Sequence, residues 1–415
     1  MNSVIRIVDG RDERTLAALL DRSAKRDLAF ERRVARIVSD VRRRGDAAVL
    51  SYAKRFDKLT DAVEVTRTEM ERGAASVESD VRRAIAAAAR NIRHVARRQV
   101  PRDWTTRPVS GVTVAQRVTP LERVGCYVPG GRYPLPSSLL MTAIPASVAG
   151  VAEIIVVCPK PDPVVMAAAL EAGVTRLFRI GGAHAIAAMA FGTRTVPRVD
   201  KIVGPGNRYV AASKALVANR CAIDFYAGPT EIVIVAGAGR PSWIAADLVA
   251  QAEHDPDARA IFVTWSRRLA TRVAGVLERA SRGRTIVARS LRAHGAIVVT
   301  RSADEAMQFA NALAPEHLVV DRDALTRRPL TAGAVFVGAF SAQAAGDYAT
   351  GSNHVLPTAG AARFRGGLSA ADFVRQITVQ RVTRAGLRAI GGTVMTLAAA
   401  EGLHAHAASI GIRVK

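Results

Sequence analysis

The sequence predicts an α/β fold: two αβα Rossmann-like lobes with mainly parallel sheets, plus helical N- and C-terminal appendages. Three observations carry this. From Leu121 onward short β-branched runs alternate with helical patterns, as parallel strands joined by crossover helices do. Several runs end in glycine turns, at Pro129-Gly130-Gly131, Gly181-Gly182 and Gly204-Pro205-Gly206. The length of 415 residues also exceeds what one hydrophobic core holds together. The expected division is a helical arm over 1–22, a first lobe over 23–126 and 232–368, a second lobe over 127–231, and a helical tail over 369–415.

In chain order, the arm carries one helix near Glu13–Leu20. Residues 28–100 are helix-rich, with breaks at Gly45 and at Phe56-Asp57, and Val112–Gln116 with Val118 reads as a strand-pair region. Strands are then predicted at Val124–Val128, Glu153–Cys158, Arg176–Ile180, Lys201–Val203, Ile223–Tyr226 and Glu231–Val235. Helices fall between them at Ser137–Ala149, Pro163–Ala172, from Ala183, and at Asn207–Ala218. A helix opening at Ser242 leads to strands at Ala260–Thr264, Ala296–Val299, Leu318–Val320 and Val335–Val337, with helices at Leu269–Ala280 and Ala303–Ala314. After a glycine-rich loop, Ala345–Pro357, two tail helices are predicted at Ala371–Gln376 and Thr383–Leu403.

Composition narrows the function classes. Apolar residues make up 49% and charged residues 23%, an ordinary globular balance. The net charge of +23 raises nucleic acid as a partner. The arginines, however, lie on helix faces such as Glu31–Val38 and Val81–Ile85 rather than in basic blocks interleaved with aromatics, so no specific nucleic-acid binding is expected. Cys126, Cys158 and Cys221 are odd in number and far apart, which gives neither a disulfide framework nor a thiolate zinc site and fits a reducing cytoplasm. The first residues lack an apolar signal region. The longest uncharged stretch, Tyr133–Ala152, is broken by prolines, so no membrane span is expected.

Four fragments carry side chains suited to chemistry. In Ser242–Pro256, Ser242 can cap a helix whose Ile244, Leu248 and Val249 face a core. Gln251 and His254 sit three apart near its end and project from neighbouring points. They read either as half of a first-row metal site or as a polar helix end in water. Glu316-His317 follows Pro315 and precedes an apolar run, so a carboxylate and an imidazole can enter one cleft as proton-transfer groups or sit as a surface Glu and a packed His. Asp347 lies beside Gly346 as a ligand or an Asx-turn former. Glu401, His404 and His406 close the last helix as further ligand types or as exposed side chains. The glycine turns after Ile180 and Val203 place free N–H groups at helix starts, where anions such as a pyrophosphate are favoured.

Taken in order, Gln251/His254, Glu316-His317, the run Gly346-Asp347-Tyr348-Ala349-Thr350-Gly351-Ser352-Asn353-His354 and the run Glu401 to His406 resemble histidinol dehydrogenase. The resemblance extends from Val124–Gly131 through Lys201–Asn207 and Tyr226–Glu231. It implies a zinc enzyme that oxidises L-histidinol to L-histidine through a bound aldehyde, with two NAD in succession, as a cytoplasmic homodimer. It implies Gln251, His254, Asp347 and His406 as metal ligands, His317 as general base and Glu316 as activator of water. The metal ligands, His317, Thr230 and Glu401 are implied to contact substrate, Tyr127, His184 and Asn207 to contact the cofactor, and His354 to be a pocket histidine of lesser role. The first lobe would carry most catalytic residues and the second the cofactor contacts. The tail would cross a two-fold axis, so that each site takes Glu401 and His406 from the partner chain.

Two positions depart from the family pattern. His184 stands where the family commonly has Gln, and Thr230 where Ser is usual. Three other readings compete: a same-family dehydrogenase acting on another polar alcohol, a zinc hydrolase with Glu316 as base, and a basic nucleic-acid-binding protein.

Overall fold

The structure, a computed structural model, describes residues 3–21, 27–130, 133–226 and 228–415. Gly131 of the first glycine turn, Ala227 of the Tyr226–Glu231 motif and the 22/23 boundary of the arm lie outside the described residues.

Two six-stranded sheets organise the chain. The first runs Arg6–Asp9, Ala296–Val299, Arg259–Thr264, Glu231–Val235, His317–Val320, Ala334–Val337, all parallel. The second runs Glu64–Val65, Arg176–Phe178, Glu153–Val157, Arg123–Tyr127, Lys201–Val203, Ala222–Ile223, and is parallel except for its first pair. Both sheets are covered on both faces, as parallel sheets require. Along Glu231–Val235, Ile232 and Ile234 face one core while Val233 and Val235 face another. In the second sheet Ile154 and Val156 face one core, Ile155 and Val157 the other.

The parallel α/β class is as the sequence predicts, but three expectations are corrected. Residues 28–100 pack mainly on the second sheet rather than on the first, and meet the 232–368 segment at points such as Asn91, whose Nδ2 donates to the Ala349 carbonyl at 2.7 Å. The helices Leu28–Arg44 and Ser79–Gln99 lie against helices of the second sheet. Their buried stripes, Val34, Ile37, Val38 and Val41 on one and Ile85, Ala89, Ile92 and Ala96 on the other, complete that sheet's cores. The N-terminal arm is not only helical, because Arg6–Asp9 forms an edge strand of the first sheet, with Val8 buried. In the tail, the helix expected at Ala371–Gln376 is a short 3-10 turn, Ala370–Phe373, and then a strand, Val374–Val382. That strand pairs antiparallel with Val112–Pro120, which also pairs with Trp104–Val109, making a third sheet. Two further helices, Arg384–Ala400 and His404–Val414, pack on each other. They leave Leu397, Leu403 and Ile412 exposed.

Candidate active site

The chemistry-bearing residues gather at the amino-terminal edge of the first sheet. His317 opens its strand and pairs in register with Ile232. Glu231 starts the neighbouring strand with Thr230 just before it, as Glu316 stands just before His317, so Thr230, Glu231, Glu316 and His317 lie side by side. The entry to His317 is a sharp turn, with Ala314 at φ 49° capping the preceding helix and Pro315 after it. Open α/β sheets ordinarily take ligands at the opposite, carboxyl edge.

One directed chain of hydrogen bonds links three of these side chains. The Glu316 carboxylate Oε2 accepts from the Glu231 backbone N–H at 2.9 Å and from the Thr230 hydroxyl at 2.5 Å. The Thr230 oxygen in turn accepts from the Gln251 amide Nε2 at 2.5 Å. Gln251 is fully buried, and its Oε1 has no hydrogen-bond partner. Burial pushes the Glu316 carboxyl up to about 8, against the opposing pull of the Thr230 and Glu231 donors.

His317 is placed as a base. Its Nδ1 lies 3.2 Å from the Glu231 carbonyl oxygen. A carbonyl only accepts, so Nδ1 carries the proton and Nε2 the lone pair. Nε2 is 3.8 Å from Asp347 Oδ1 and 3.5 Å from the Gln343 amide nitrogen. Burial lowers the imidazole pKa and keeps the ring neutral. Gln343 also donates to Asp347 Oδ2 at 2.5 Å. Sequence reasoning missed it; its signal is the spacing i, i+4 to Asp347 along the helix Gln343–Tyr348. His354 Nδ1 is 2.9 Å from the Asp347 carbonyl oxygen, and burial lowers its pKa to about 4, so it holds the Asp347 backbone as a neutral ring.

The helix carrying Gln251 spans Pro241–Ala252, with Arg240 as its N-cap and no side-chain cap bond. Ser242 therefore sits inside the first turn rather than capping it, because Pro241 takes the first helical position with its φ already set. His254 follows the helix end, exposed, at the edge of the group formed by His317, Asp347 and His354.

Within one chain the cluster holds Thr230, Gln251, Glu316, His317 and Asp347, with His254 at its edge. Glu401 and His406 are not in it. They lie exposed on the tail, Glu401 at the end of one helix and His406 in the first turn of the next. Among the described residues no group of three or more His, Cys, Asp or Glu side chains is arranged to hold a metal ion. The donor set nonetheless fits one. Gln251 Oε1 is a buried acceptor with no partner, and Asp347 is a largely buried carboxylate with oxygen near His317.

The three residues expected at the cofactor share a separate cleft of about 930 Å³ at the carboxyl edge of the second sheet. Tyr127 ends a strand there, and its hydroxyl accepts from the Gly182 N–H at 3.1 Å. Asn207 caps the helix Arg208–Val217 through bonds from Tyr209 N–H at 3.0 Å and Val210 N–H at 3.3 Å. Between them Gly204, at φ 113°, leaves no room for a Cβ beside the Tyr127 carbonyl. Its N–H donates to Asp224 Oδ2 at 2.7 Å and its carbonyl accepts from Lys214 at 3.0 Å. His184 lines the cleft but is buried, and its Nε2 lies 2.9 Å from Asp57 Oδ2. Asp57 also accepts from the Gly181 N–H at 3.0 Å. One of the two His184 ring nitrogens is thus committed within the protein, narrowing the cofactor contact expected of it. The cleft's lining does not include Glu316 or His317.

Comparison with known proteins points one way. The profile of one family, described as histidinol dehydrogenase, matches residues 20–414. A protein of Geobacter sulfurreducens named histidinol dehydrogenase is 44% identical over 99% of this chain and 100% of its own. One of Methanothermobacter thermautotrophicus with the same name is 46% identical over 92% of this chain and 93% of its own. The crystal structure of histidinol dehydrogenase from Elizabethkingia anophelis superposes with a TM-score of 0.95 at 33% identity, covering 100% of this chain and 99% of that one.

Proposed function

Since the chain belongs to the histidinol dehydrogenase family, we propose that it oxidises L-histidinol to L-histidine through L-histidinaldehyde, consuming two NAD and one water. The observation that carries this is the pairing of a neutral, tautomer-fixed His317 with a carboxyl, Glu316, at one strand start. His317 Nε2 takes the proton of the alcohol in the first oxidation and of the hydrated aldehyde in the second. Glu316, in its ionised form, takes a proton from the water that adds to the aldehyde between them. Thr230 and Glu401 contact substrate. Membership in an oxidoreductase family removes the hydrolase reading.

Gln251, His254 and Asp347 of one chain, with His406 of the partner subunit, would hold a zinc ion. When bound, it would offer open positions to the substrate's nitrogens. Tyr127 and Asn207 would orient NAD, with His184 behind them, and a bound NAD would supply the hydride acceptor for each oxidation. The helices Gly182–Phe191 and Arg208–Val217 begin at this cleft, where their N–H groups favour a pyrophosphate. The exposed tail supports a homodimer with shared sites. No helix among the described residues is long and apolar enough to cross a membrane. Three free, buried cysteines support a reducing, cytoplasmic setting.

The test is stoichiometry. Zinc-loaded protein given limiting L-histidinol and excess NAD should form two NADH per L-histidine. One NADH per substrate consumed, with the aldehyde released, would refute the two-step reading.

A further inference from the structure

We propose that Thr230 is a positioning residue that decides which end of the Gln251 amide a metal ion meets. The inference rests on the zinc reading above and assigns Thr230 a task separate from touching substrate.

The argument starts from a main-chain donor. The Glu231 N–H is fixed by its strand and aims at Glu316 Oε2, which makes that oxygen an acceptor. Thr230 Oγ1 lies 2.5 Å from the same oxygen. A hydroxyl has one proton, so Thr230 donates it to Glu316 and keeps only lone pairs for its other neighbour. That neighbour is the Gln251 amide at 2.5 Å, which must therefore present its NH₂ to Thr230. Its oxygen is left facing the other way, buried and unpartnered. A buried acceptor without a donor costs free energy in an empty protein and is what a cation needs.

An amide reads almost the same to packing either way round. Without the hydroxyl nothing holds the amide oxygen outward, and the reversed orientation turns N–H groups towards the cation. Replacing a partner that orients a ligand typically lowers metal affinity by about 10–100-fold.

The experiment measures zinc affinity of the metal-free dimer by competition with a chromophoric chelator, with no substrate or NAD present. Thr230→Val should weaken zinc about 10-fold or more, and Thr230→Ser should bind as wild type. In a Gln251→Glu background the same Thr230→Val change should have almost no effect, because a carboxylate offers oxygen at both ends. Thr230→Ala replaces the valine variant if that one fails to fold, with the same expectations. If Gln251→Ala loses zinc but Thr230→Val does not, the positioning role is wrong and the ligand assignment stands. If Thr230→Val loses zinc equally in the Gln251→Glu background, the effect is not amide orientation and the proposal is overturned. If wild type binds no zinc and Gln251→Ala changes nothing, the zinc reading itself has failed.

Discussion

His317 Nδ1 lies 3.2 Å from the backbone carbonyl of Glu231, so a main-chain oxygen on the neighbouring strand decides which nitrogen of the ring is basic. Two substitutions at this strand start should be separable. His317→Asn removes the base used by both oxidations, and general-base losses run to about 10²–10⁴-fold. Glu316→Gln should spare histidinol oxidation to the aldehyde more than aldehyde oxidation, because only the second consumes water. Histidinol and histidinaldehyde, assayed separately with each variant, check this. An equal loss on both substrates for Glu316→Gln would contradict the role given to it.

Gly346 is needed for a close approach rather than a turn. A Cβ there would lie 2.6 Å from two ring atoms of Phe336, whose ring centre is 6.0 Å from that of His317. Gly346→Ala should therefore cost about 1–3 kcal/mol by overpacking and lower kcat by shifting Asp347 and His317 together. Phe336→Leu in the same chain should restore part of both. Unchanged kcat and unfolding midpoint in Gly346→Ala would show that the contact does not constrain the site.

The buried thiols make stability depend on pH at the alkaline end. Burial pushes Cys126, Cys158 and Cys221 up to about 12 from an ordinary 9.0. Above 9 the unfolded chain loses these protons while the folded chain keeps them. The unfolded state then binds fewer protons, and stability falls as pH rises. The contribution is complete below 9 and disappears as pH climbs towards 12. Each thiol adds a slope of up to about 1.4 kcal/mol per pH unit in that window. Urea midpoints at pH 7.5, 9 and 10 should drop more steeply for the wild type than for a chain with all three cysteines changed to alanine. Parallel curves would remove the thiols as the cause.

Much of this site was legible because its residues stand in short, ordered runs. Gln251 with His254 and Glu316 with His317 are close in sequence because a helix end and a strand start deliver them. Gln343 and Asp57 were not legible. Each acts only through a partner that folding brings near, Asp347 one helical turn on and His184 across the cleft. The strands that escaped, Arg6–Asp9, Glu64–Val65, Trp104–Val109 and Val374–Val382, all lie at sheet edges, and all but the second have mostly exposed faces. Edge strands need not bury both faces, so their hydrophobic pattern is weak. The apolar stripes of the helices over 28–100 show that each packs, not which sheet it packs on.

A shared site predicts complementation between two inactive chains. His317→Ala and His406→Ala, unfolded, mixed equally and refolded, should give mixed dimers as about half the population. In each mixed dimer one site carries both lesions and the other none, so about a quarter of wild-type sites should return. Background activity in a sample proven to contain mixed dimers would refute a tail that reaches the partner's site.

The pairing of Arg6–Asp9 with Ala296–Val299 imposes an order on synthesis. Arg6–Asp9 is made long before Ala296–Val299, its ladder partner among the described residues, and parallel pairing admits no local hairpin as a substitute. Val4, Ile5 and Val8, all buried in the finished protein, share their cores mostly with residues from 232 onward and stay uncovered until those are made. Pairings this distant form slowly and leave apolar edges open to other chains. A fusion partner at the N-terminus would thus act on the nascent protein long before the catalytic strand exists, and its effect would be read in yield rather than in turnover.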